Sequence, residues 1–82
     1  MEERMRVAME VTVKLYPGLH HAQGSRMSIP LREPAVVADL LRELGFNELD
    51  VEIVSVNGVL GQFDTPLHDG ATVSLIPFMG GG

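Results

Sequence analysis

Thr72-Val73-Ser74-Leu75-Ile76-Pro77-Phe78 alternates apolar and polar residues, and after Met79 it runs into Gly80-Gly81-Gly82. Period two with β-branched residues reads as a strand with one buried face. Val73 and Leu75 share the inward side. Ser74, Ile76 and Phe78 take the other. His68-Asp69-Gly70 upstream is a turn, with the Asp69 side chain capping it. A glycine run normally joins two folded elements, and in this sequence nothing follows it. Glycine costs more entropy to fix than any other residue and has no side chain to bury. One reading is a frayed terminus. The other is a slim tail that threads into a second protein and presents its carboxyl carbon for chemistry.

Working outward, Val7 to Leu15 alternates in the same way, with Val7, Met9, Val11, Val13 and Leu15 on one face. Tyr16-Pro17-Gly18 stops it, and a polar loop leads to Arg26–Leu31, where Met27, Ile29 and Leu31 point inward. These two strands predict a hairpin. Pro30 lacks a ladder donor and suits an edge or a strand end. Arg32-Glu33-Pro34-Ala35 opens a helix, with the proline in its first turn. Val37, Leu40, Leu41 and Leu44 then fall on one helical face, with Asp39, Arg42 and Glu43 on the wet side. Gly45 lies just past its end.

Val51–Val56 is a third strand, and Asn57-Gly58 is a hairpin turn signal. Val59-Leu60 returns, and Phe63–Leu67 is a loop or short helical turn. The order is β-β-α-β-β-β, with the last strand returning beside the first. The fold class is α+β: a mixed sheet with one main helix packed on one face.

The 82 residues are expected to form one domain, 1–82, with residues 79–82 as its tail. Apolar residues are 45% of the chain and charged residues 21%, an ordinary globular composition. There is no cysteine, which removes thiolate chemistry and points to a cytoplasmic protein. No apolar run approaches the ~18 residues of a membrane span. A net charge of -5, with only scattered bases, argues against nucleic acid and favours a partner with a basic docking surface.

Competing sites are weak. His20 and His21 are adjacent in a loop, where their side chains diverge, and no third ligand stands at metal spacing. No metal is expected. His68 beside Asp69 has no nucleophile near it. Glu48, Asp50 and Glu52 read as a solvated acidic surface.

Two segments carry a resemblance. Val54-Ser55-Val56-Asn57-Gly58, and Leu67 to Pro77 with Asp69-Gly70 at its turn and Gly81-Gly82 last, are similar to the small sulfur-carrier proteins. These are the small subunit of molybdopterin synthase and the thiamine sulfur carrier. The likeness runs from the first strand to the last residue. The chain departs from the family in having Ala71-Thr72 where a second acid is common, Phe78 after a single Pro77, and an additional Gly80. The length is closer to the molybdopterin type.

The resemblance implies a β-grasp (ubiquitin-like) fold and a carrier with no bound cofactor. A ubiquitin-activating-like partner would use ATP to adenylate Gly82. Sulfur would then replace AMP, and the thiocarboxylate would serve molybdopterin synthase's large subunit or another acceptor enzyme. Gly82 would carry the chemistry, Gly81 the access and Gly80 the reach. Ile76 and Phe78, large and apolar beside the tail, would dock the partner. Two readings share the tail: a thiamine-pathway carrier, and a ubiquitin-like modifier joined to lysines of other proteins. A plain binding module with a passive tail is a third. No enzymatic activity of its own is expected.

Overall fold

The computed structural model describes residues 9–78; Val7 and Ala8, and the tail residues Gly80, Gly81 and Gly82, lie outside them. Strand β1, Met9–Leu15, buries every odd-numbered residue. Strand β2, Arg26–Leu31, pairs with it antiparallel, with Val11 opposite Ile29 and Val13 opposite Met27. Leu15 N donates to Ser25 O at 2.8 Å. This makes the odd-numbered pairs the hydrogen-bonded ones and leaves Glu10–Pro30, Thr12–Ser28 and Lys14–Arg26 as the close, non-bonded pairs. The nitrogen of Pro30 therefore faces the open edge of the sheet, where no ladder bond is lost.

Four strands follow. Ala35–Val36 is β3, Val51–Val56 is β4, Val59–Gly61 is β5 and Pro66–Leu67 is β6. The last, β7, is Thr72–Pro77. It lies parallel to β1 and antiparallel to β4, in a five-stranded sheet of order β2-β1-β7-β4-β5. Parallel neighbours need a long crossover, and helix α1, Val37–Leu44, lies within it. Its buried face is Val37, Leu40, Leu41 and Leu44, and Gly45 ends it at φ 84°. With Val11, Val13, Val73 and Leu75 these residues form the centre of the core. This is the β-grasp arrangement.

The helix begins later than the sequence predicts. Pro34 is not in its first turn. Ala35–Val36 is extended and pairs with Pro66–Leu67 in a separate two-stranded sheet. The loop before β6 also replaces a side-chain cap: Val37 N donates to Thr65 O at 3.1 Å and Ala38 N to Phe63 O at 2.8 Å. These are orphan donors of a helix start, satisfied by a segment distant in sequence. Asp39 Oδ2 accepts from Val36 N at 2.8 Å, and Asp39 Oδ1 from Arg42 Nη2 at 2.7 Å. The Val36 amide and then the Arg42 guanidinium hold the Asp39 carboxyl below the usual carboxylate range.

Asp69 also acts at longer range than expected. Its Oδ1 accepts from Glu10 N at 2.8 Å, while Gly70 N donates to Glu10 O at 2.8 Å. The side chain extends the β1–β7 ladder by one rung. Its own turn is closed by Ala71 N donating to His68 O.

Leu40 is fully buried. Leu40→Ala is expected to cost about 2–5 kcal/mol in a urea titration, the range for truncating a buried leucine. A near-silent result contradicts the helix orientation described here.

Candidate functional site

The strand that leads to the tail is held from both sides. Val73 and Leu75 are fully buried between β1 and β4. Tyr16 N donates to Leu75 O at 3.0 Å, and Asn57 brackets the strand's start, accepting from Thr72 N through Oδ1 and donating its own N–H to Thr72 O. A central, doubly paired strand makes a rigid base for whatever follows Phe78.

Pro77 is buried at the end of that strand, opposite Val51. Gly18 lies against it at φ +112°, and a Cβ there would meet Pro77 Cγ at 2.8 Å. Gly24 has a similar φ of +97° but nothing within 4 Å of such a Cβ. Gly18→Ala should therefore lower the melting temperature more than Gly24→Ala, since both carry the backbone strain and only one carries the clash. Equal melting temperatures would mean that the Gly18–Pro77 contact gives way freely.

Ile76 lies on the sheet face away from the helix and is half-buried. Opposite it is Ile53, through an irregularity in β4. Val51 pairs with Pro77 and Ile53 with Ile76, so Glu52 is the extra residue of a β-bulge. Without the bulge, alternation would place Glu52 beside Ile76 and turn Ile53 toward the core. The bulge turns Ile53 outward. Glu52 lines a groove with the core residue Val54 and with Phe63 and Asp64. Leu60 of β5 stands diagonally across from Ile53 on the same outer face and is 77% exposed. The sequence reading missed Ile53 and Leu60 as members of the apolar patch around Ile76. The adjacent apolar pair Ile53-Val54, which breaks the alternation, was the available signal.

Phe78 lies one residue beyond the strand, so the alternation that places Ile76 does not govern it. It is 56% exposed and lines a groove of about 480 Å³ with Leu19, Phe46, Leu49 and Pro77. The end of β7 thus stands between two apolar surfaces, one around Ile76 on the outer face and one around Phe78 at the sheet's end. His21 is engaged locally: its Nδ1 accepts from Gln23 N at 3.1 Å, and its ring stands edge-on to Phe46. Among the described residues, no three His, Asp or Glu side chains gather to hold a metal. No described helix is long and apolar enough to cross a membrane.

Comparison with known proteins adds to this geometry. The model of the ThiS family matches residues 13–82. No curated protein matches. Among solved structures, the chain is similar to a putative molybdopterin converting factor, subunit 1, from Pyrococcus furiosus. The identity is 28% over 84% of this chain and 97% of that one, with a TM-score of 0.69. It is also similar to a chain in the complex of subunits 1 and 2 of the molybdopterin-converting factor from Helicobacter pylori. There the identity is 27%, the coverage 90% and 100%, and the TM-score 0.61. A thiamine biosynthesis protein, ThiS, from Geobacter metallireducens matches at 27% identity, 87% and 99% coverage and a TM-score of 0.54.

Proposed function

This chain belongs to the ThiS family of small ubiquitin-like sulfur carriers, and we propose that it delivers sulfur for molybdopterin synthesis from a thiocarboxylate on Gly82. The observation that carries the proposal is the continuity of β7 with the tail. A fully buried Leu75 and a clamped Pro77 stand a few residues before Gly81-Gly82. That arrangement gives a rigid base followed, after Phe78 and Met79, by three residues without side chains.

The chemistry follows from the residue types. A carboxylate is a poor acyl donor. Attack of its oxygen on the α-phosphorus of ATP, with pyrophosphate leaving, makes the Gly82 carbonyl an acyl-adenylate. A sulfur nucleophile then displaces AMP. Glycine leaves both faces of that carbonyl open. ATP and the catalytic groups belong to the adenylating partner, and this chain is the co-substrate. The outer patch of Ile53, Leu60 and Ile76, with Phe78 beside the tail, is the docking surface, because exposed apolar patches flanked by polar residues mark partner sites.

The molybdopterin assignment is supported by likeness to two subunits 1 of molybdopterin-converting factors, one of them in complex with its subunit 2. By the same likeness, the acceptor is a synthase large subunit. The test has two steps. Intact mass spectrometry of protein purified from its native host should show the mass gain of one oxygen exchanged for sulfur. The loaded protein, mixed with the large subunit and its pterin precursor, should return to its original mass as dithiolene forms. Discharge only by a thiazole-forming enzyme would assign it to thiamine synthesis. Recovery on lysines of other proteins would make it a modifier.

A further inference from the structure

Two bases stand side by side on the outer sheet face of a molecule whose net charge is -5. Lys14 of β1 and Arg26 of β2 are direct cross-strand partners. They occupy a non-hydrogen-bonded position, where side chains come closest and like charges disfavour pairing. Among the described residues the single ion pair is Arg42 with Asp39, on the helix. The remaining acid of β1, Glu10, is on the same face but four residues away. At ~3.3 Å per residue that is about 13 Å, longer than the ~8 Å over which exposed charges act in physiological salt. Beside Lys14 in the sheet is Ser74, two residues before Ile76 on the same face of β7. The basic pair therefore borders the apolar patch at the end of the sheet where β7 finishes.

We infer that Lys14 and Arg26 form a recognition pair for carboxylates on the docking partner, seated next to the apolar area that covers Ile76. The inference rests on the docking surface proposed above and specifies its chemistry. The net charge of -5 favours a basic partner surface, whereas this face calls for an acidic rim around an apolar centre. Two like charges set side by side weaken the free fold. They become favourable once acidic groups lie against both. Such rim charges act mainly on association rate and on salt dependence.

The test reverses one charge at a time. Arg26→Glu converts the repelling pair into a cross-strand ion pair with Lys14, so its melting temperature should equal or exceed that of the unmodified protein. Lys14→Glu forms the same ion pair with the signs exchanged, and serves as the second variant. Association with the adenylating enzyme and with the synthase large subunit, both from the same host, is measured by stopped flow over a range of salt concentrations. Ile76→Asp is run in parallel. Both charge variants should associate roughly tenfold more slowly at low salt, with a flatter salt dependence. Wild-type rates and salt slopes in both, while Ile76→Asp fails to bind, would overturn the charge inference and leave the docking surface standing. Normal binding by all three would overturn both.

Discussion

Deletion of Gly81-Gly82 should abolish adenylation and leave the melting temperature almost unchanged. Glycine has no side chain to bury, so the truncation removes no side chain from the fold. It does remove the carboxyl carbon on which the proposed chemistry depends. Pyrophosphate release with ATP and the adenylating enzyme measures the first quantity, and a thermal melt measures the second. Addition of one residue after Gly82 should be nearly as damaging. An extended residue displaces the carboxylate by about 3.5 Å, and displacements of about 1 Å can cost roughly 100-fold in a positioned reaction. Undiminished sulfur transfer between the partner enzymes in the presence of the truncated chain would rule out the carrier reading, and is the result expected of a binding module with a passive tail.

Patterns governed by neighbouring residues were legible in the sequence. The odd-numbered face of β1, the helical face from Val37 to Leu44 and the Gly45 terminus all depend on local periodicity or on one backbone dihedral. So does the turn at Asn57-Gly58, where both residues take positive φ. The features that escaped depend on partners far along the chain. Ala35–Val36 is held out of the helix by Pro66–Leu67, about thirty residues on by the register that pairs Ala35 with Leu67. Asp69 bonds Glu10 because the first and last strands lie side by side. The same holds at the candidate site. Ile76 follows from alternation in its own strand. Ile53 reaches the same patch only through a bulge that is defined against β7. The acid that the bulge moves aside, Glu52, would otherwise have stood in the middle of the docking surface.

Leu75→Asp and Ile76→Asp, one position apart, should fail in opposite ways. Leu75 is fully buried between β1 and β4 in the middle of the core. A carboxylate there is taken out of water with apolar neighbours and no counter-charge. The expected cost of several kcal/mol is comparable to the whole stability of about 5 kcal/mol at the lower end for small domains. The variant should be unfolded by circular dichroism at room temperature. Ile76 faces outward against Ile53, and a carboxylate there keeps contact with water in the free protein. Its melting temperature should fall only modestly. In the complex the same charge would be enclosed by an apolar surface, and the loss should reach about 2 kcal/mol or more, roughly 30-fold in affinity, as for a central interface residue. Thermal melts on both variants and a calorimetric titration of Ile76→Asp against the adenylating enzyme separate the two effects. A folded Leu75→Asp would contradict the core described here. An Ile76→Asp variant that folds and binds normally would move the docking surface off this face, toward the groove at the sheet's end where Phe78 stands with Leu19, Phe46 and Leu49.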